Sequence, residues 1–299
     1  MSITTAAPSV VAARRRRPRS LARQRRWALW GSYSALLVFV VLFLAPPFYM
    51  LITSLKTSAE ISEQRTSPWL VVHPTLANFI DLITNANFQH FFLNSAKVTI
   101  CVVVLSMVVS VLGAFALARM RFFGSSLLAT GIFLTYLVPD SLLFIPYFRI
   151  VGNLGLINNA WALVLIYPTL AVPFCTWIMI GYFASIPKEL DEAALIDGAS
   201  WLQILTRVFI PVAMPGIIAA TIFAFTVSWG QFIYPLAFLY SSDQMVLTVG
   251  IVSDLIRGDT FAWGKIMAGS LMAAAPPVVI YAFLMDYYIA GLTAGATKG

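Results

Sequence analysis

The sequence predicts an all-α, polytopic membrane protein with six transmembrane helices, and three observations carry that prediction. Of its 299 residues 60% are hydrophobic and only 10% charged, with a mean hydropathy of +0.86. A soluble domain carries about a quarter charged residues, so lipid is the solvent that fits this chain. Six separate apolar stretches are long enough to cross a bilayer, near 30–52, 94–118, 127–148, 160–183, 215–238 and 264–286. The cations between those stretches are unevenly distributed.

Residues 1–27 form a basic tail, with Arg14, Arg15, Arg16, Arg17, Arg19, Arg23, Arg25 and Arg26 ahead of the first apolar run. No folded domain surrounds this cluster, so it reads as a topology determinant that touches anionic lipid, not as a nucleic-acid site. The run that follows is longer than a signal-peptide core and lacks a small-x-small exit, so it reads as an uncleaved anchor. With the N-terminus in the cytoplasm, Arg119, Arg121, Lys188, Arg207 and Lys298 join the eight arginines on the inner side. Lys56, Arg65, Lys97, Arg149, Arg257 and Lys265 fall outside. This bias predicts an even number of spans and two cytoplasmic termini.

Several spans carry proline: Pro46 and Pro47, Pro139 and Pro146, Pro168 and Pro173, Pro276 and Pro277. Each frees a carbonyl, which a membrane bundle tolerates where protein or water re-satisfies it. Cys101 and Cys175 lie inside apolar runs and read as small core hydrophobes. The outer connections are 53–93, 149–159 and 239–263. His73 and His90 stand alone in the first and read as solvated or capping residues, so no metal site and no cofactor is expected.

The inner loop 184–214 is the most specific part of the chain. Pro187 with Glu189, Asp191 and Glu192 suits a helix N-terminus. Gly198 suits the left-handed position that ends a helix. Ser200 and Gln203 have the spacing of a capping box for a second helix, which Pro211 and Pro215 keep from running on into the fifth span. A compact helix–turn–helix results, and Ala193 and Ala194 leave it a low-profile face that suits a partner's groove.

Glu192-Ala193-Ala194, three residues, Gly198, nine residues, then Val208-x-Ile210-Pro211 resembles the EAA loop of ABC-importer permeases. Val208 and Ile210 depart from the family pattern by aliphatic exchange. Further segments extend the resemblance over nearly the whole chain: Thr53-Ser54-Leu55-Lys56, Asn94-Ser95, Ala118-Arg119 through Phe122-Phe123-Gly124, Leu154-Gly155-Leu156 with Asn158, Trp229-Gly230-Gln231-Phe232, and Gly291 to Gly295. The carbohydrate (maltose-type) class, in its second permease position, is the one they resemble. The resemblance implies a bacterial or archaeal inner (cytoplasmic) membrane, a second permease subunit, two ATP-binding subunits and an extracytoplasmic solute-binding protein. It implies that Glu192, Ala193, Ala194, Gly198 and Pro211 belong to the loop that docks on an ATP-binding subunit. It further implies that 239–263 reaches the solute-binding protein and that the tail 291–299 contacts the ATP-binding dimer.

For the solute pathway the sequence offers Asp140, Trp229, Gln231 and Tyr234. A carboxylate at mid-membrane costs about 3 kcal/mol, so Asp140 should avoid lipid, whether it lines a cavity or is satisfied near a kink. The aromatic and amide groups of Trp229, Gln231 and Tyr234 suit sugar hydroxyls, and helix packing is the favoured reading for each residue taken singly. A gradient-driven transporter would need Asp140 as its coupling group and shows no internal repeat. A membrane-embedded enzyme is disfavoured by the lack of H-E-x-x-H and G-x-S-x-G. No G-x-x-x-x-G-K-[ST] occurs, so any ATPase must be another chain. The same architecture also serves polyols and glycerol phosphoesters.

Overall fold

The computed structural model describes residues 19–63, 67–120, 122–257 and 260–296. The first 18 residues of the basic tail and residues 297–299 lie outside them. Two compact units are distinguished, up to Tyr49 and from Met50 onward.

Helix α1 runs Arg19–Ser54, with Pro46 and Pro47 inside it. Two short helices follow, α2 (Ser58–Ser62) and α3 (Ala77–Thr84), in a segment expected to be a plain connection. Here the buried Glu60 carboxylate accepts from the Val72 and His73 amides at 2.9 and 3.2 Å. Lys56 Nζ, 4.0 Å from Glu60, donates to the Ser67 and Pro68 carbonyls. These bonds hold the Glu60 carboxyl below its usual range, the Val72 amide being the largest cause.

Four long helices build the second unit: α4 (Ala86–Arg119), α7 (Trp161–Ser185), α11 (Met214–Gly230) and α14 (Trp263–Ala296). Helices α4 and α7 run parallel, with Val98 near Leu163 and Ser110 donating to the Val172 carbonyl. Helix α11 runs against them, its Ser228 donating to Thr99 and its Ala220 carbonyl facing Cys175 Sγ. In lipid no hydrophobic force drives helices together, so small residues and short polar contacts hold these seams. Ala171, Cys175, Ala220 and Ala224 fill one of them.

By length and apolarity, segments 25–54, 86–119, 161–185 and 263–285 can cross a membrane, and six crossings result if each of two bent helix pairs is one span. The third expected span, 127–148, is not a continuous helix. It divides into α5 (Ser125–Tyr136) and α6 (Asp140–Asn153), bent by 96°. Pro139 supplies no N–H and pushes its predecessor out of the helical region, which a hydropathy window does not register.

The expected inner loop contains α8 (Glu189–Ile196), α9 (Trp201–Ile204), a π-helical turn (Leu205–Phe209) and α10 (Ile210–Val212). Pro211 does not end this helix. It falls in the first turn of α10, after the wider π turn, and the 83° bend to α11 comes at Ala213. The fifth expected span also breaks, at Gln231 and Phe232, before α12 (Ile233–Phe238). Helix α13 (Leu247–Leu255) and a two-residue hairpin, β1 (Ile256–Arg257) with β2 (Thr260–Phe261), lead into α14. That last helix runs on to Ala296, through most of the segment expected to be a tail.

Candidate coupling site and solute pathway

The α8–α9 corner is fixed by local chemistry. Gly198 has φ +80°, and the Gly198 and Ala199 amides donate to the Leu195 and Ala194 carbonyls at 3.0 and 2.9 Å. This pair is a Schellman end, which needs the left-handed glycine. Ser200 Oγ then accepts from the Gln203 amide, and Gln203 Oε1 from the Ser200 amide at 2.8 Å. The capping box starts α9 in a fixed direction.

Beneath the corner lies an aromatic nest. Phe115 of α4 meets Phe183, Trp201 and Phe209 edge-on, with centroids 5.1–6.1 Å apart. Ile204, Leu205 and Phe209 are buried in it. Ala194 packs against the nest, while Ala193, Glu192 and Pro211 are exposed. The outer side of the corner is apolar: Leu195 and Leu202 are exposed, and Ile196 is 86% exposed. A groove of about 660 Å³ runs beside it, lined by Lys188, Asp191, Glu192 and the α4–α5 turn.

The sequence placed Arg119 on the inner side and in the Ala118–Gly124 segment of the family resemblance without giving its side chain a task, yet it holds this region together. Its side chain is 3% exposed. One guanidinium nitrogen donates to the Phe183 carbonyl at 2.7 Å and to the Ile186 carbonyl. The other lies 3.4 Å from Asp191, and the guanidinium carbon stacks 4.7 Å over the Phe209 ring. Burial pushes the Asp191 carboxyl above the usual range, outweighing the Arg119 charge that pulls it down. The only sequence signal was an arginine closing an apolar run next to a Phe-Phe-Gly turn.

At the opposite end of α4 and α7, Asn158 (φ +59°) accepts from the Tyr240 and Ser241 amides through Oδ1. Asn94 donates to the Asp243 and Met245 carbonyls, and Gln244 accepts from the Ala160 amide. These bonds fix residues 239–247 beside a groove of about 460 Å³ lined by His90, Lys97, Trp161 and Asp243. Gln244, donating to the Asp243 carboxylate at 2.9 Å, is the largest cause holding it below its usual range.

The four pathway candidates separate. Tyr234 is buried, and its hydroxyl donates to the Asp140 carbonyl at 2.8 Å. Asp140 itself opens α6 after the break, its side chain exposed. Gln231 lies at the α11–α12 break, where its carbonyl accepts from Thr248 Oγ1. Trp229 faces elsewhere: its indole N–H donates to the Ala273 carbonyl of α14 at 2.9 Å, and its ring stacks on Phe225.

Residues 108–287 match the family described as binding-protein-dependent transport system inner membrane component. The chain is 34% identical over 263 residues to the sulfoquinovosyl glycerol transport system permease protein SmoH of Agrobacterium fabrum, covering 88% of this chain and 91% of that protein. It is 31% identical over 272 residues to the diacetylchitobiose uptake system permease protein DasC of Streptomyces coelicolor, covering 91% and 97%. Its fold matches a crystal structure of a bacterial ABC transporter involved in import of the acidic polysaccharide alginate, with TM-score 0.76 and 24% identity over 88% of this chain and 98% of that one. The chain belongs to the binding-protein-dependent transport system inner membrane components, as a permease subunit of an ABC importer.

Proposed function

We propose that this permease carries a sugar or a sugar-bearing polyol, forming half of the pore with a second permease subunit. The named solutes of its relatives, sulfoquinovosyl glycerol and diacetylchitobiose, support the glycoside class. The α8–α9 corner docks on one of two ATP-binding subunits, which supply the hydrolysis. The observation that carries this reading is the rigid corner that leaves Ile196, Leu195 and Leu202 in solvent beside Glu192. An apolar tip that size, rimmed by charge and fixed by two capping motifs, suits helix-in-groove recognition. Glu192 faces a cation there, Ala193 allows close approach, and Pro211 fits the first turn of α10 ahead of the bend at Ala213.

With both termini cytoplasmic, residues 239–247 and the His90–Asp243 groove face outward and receive the solute-binding protein. Asp140 and Gln231, at the two helix breaks, are the polar side chains best placed for the pathway. Tyr234 fixes the first break through its bond to Asp140, and Trp229 serves the α11–α14 seam. Co-purification of the tagged chain from native membranes, with subunits counted by mass spectrometry, tests the assembly. A second permease and two P-loop ATPase copies, lost on Glu192→Lys at equal expression, are the expected result. A stable homo-oligomer without ATPase would refute it.

A further inference from the structure

Helix α8 is weakly attached to the helices it must move. Of its eight residues only Asp191 and Ala194 are not exposed. Ala194 offers one methyl group to the aromatic nest. Asp191 meets Arg119, which at once closes α4, binds the last carbonyls of α7 and stacks on Phe209 in the π turn. Four separate elements thus meet on one buried guanidinium. Its planar fork suits that task, because several donors leave it in fixed directions.

We infer that Arg119 is the positioning residue that makes the α8–α9 corner move as one body with α4 and α7. A displacement imposed on α8 from outside reaches the bundle through the 186–188 turn, through α9 and its Trp201 contact with Phe115 of α4, through the Ala194 methyl and through this guanidinium. The 186–188 turn is a compliant link, the α9 contact reaches α4 but not the α7 terminus, and beyond α9 the chain runs through a π turn. With Arg119 in place, α8 cannot shift without carrying the α7 terminus and α4. Without it, motion would be absorbed locally, and the coupling between motor and pathway would fall. This inference rests on the proposed docking of α8 on an ATP-binding subunit.

The test uses the complex purified from native membranes into nanodiscs and trapped with ATP and orthovanadate, so no transported solute is required. Hydrogen exchange is read in α8 and, separately, in the last turns of α4 and α7. In the wild type, trapping is expected to change exchange in all three. In Arg119→Gln and Asp191→Ala the α8 response should persist while the α4 and α7 response falls by about tenfold. Arg119→Lys keeps a charge near Asp191 but loses the fork, and should fall between. Equal responses in wild type, Arg119→Gln and Asp191→Ala would overturn the inference and leave the docking reading intact. Failure of the wild type to bring down any ATP-binding subunit would instead overturn the docking reading. If Arg119→Gln does not assemble, Asp191→Ala decides alone, since it spares the α7 bonds. If that variant also fails to assemble, the cluster is a folding element and the inference is refuted.

Discussion

Replacing Gly198 with alanine isolates the backbone geometry of the coupling corner. Gly198 has φ +80°, and a Cβ added there would meet nothing within 4 Å. No steric clash contributes, so the cost is conformational. An L-residue in the left-handed region costs about 1–2 kcal/mol. The chain can escape that strain only by giving up the Gly198–Leu195 and Ala199–Ala194 bonds, each worth about 0.5–1.5 kcal/mol net. Losing both bonds costs about 1–3 kcal/mol and keeping the strain about 1–2, so the cheaper route gives about 1–2 kcal/mol, or roughly 5- to 30-fold in the ratio of formed to frayed corner. Hydrogen exchange of the 189–204 segment in nanodiscs reads this directly. Gly198→Ala should exchange faster by that factor in the last turn of α8, with little change in α4 or α7. Gly198→Asn should recover part of the loss, because asparagine tolerates the left-handed region. Wild-type exchange in Gly198→Ala, or no difference between alanine and asparagine, would refute the reasoning.

Three other outcomes are expected. Gly250→Ala would set a methyl carbon 2.2 Å from the buried Phe91 ring, so α13 must move off α4; a loss of about 1–3 kcal/mol should appear as a lower melting temperature in detergent. Glu60 has a lowered pKa in the fold, so its contribution is complete at neutral pH and is lost as pH falls through that value, below 4.5; protease protection of 56–73 should drop there, and Glu60→Gln should be unprotected at neutral pH too. Trp229→Phe keeps the stacking on Phe225 but removes the bond to the Ala273 carbonyl; stability should fall by about 1 kcal/mol with the KM for uptake unchanged, whereas a raised KM with unchanged stability would return Trp229 to the pathway.

What was legible in the sequence is what local chemistry encodes. The left-handed Gly198 and the Ser200–Gln203 box depend on neighbours within three residues, so they could be read directly. The bend after α5 was hidden because Leu137 and Val138 keep the hydropathy high across Pro139, although that proline reports it. The 53–93 segment looked like a connection because its order rests on Glu60 and Lys56 reaching residues 67–73, more than ten positions away. Arg119 was missed for the same reason: its carbonyl partners lie 64 and 67 residues along the chain. By residue type Trp229 and Tyr234 suited both the pathway and helix packing, and only the fold shows their polar atoms bonded to backbone carbonyls.

The claim that the α8–α9 corner is the contact to an ATP-binding subunit is tested most directly by a photo-crosslinking residue at position 196 in the native membrane. Ile196 is the most exposed apolar side chain of the corner, so the account predicts a crosslinked product containing a P-loop ATPase, weakened by Glu192→Lys and absent when the probe replaces Leu142 in α6. Crosslinking from position 196 only to lipid or to the chain itself, in membranes where transport is active, would contradict it.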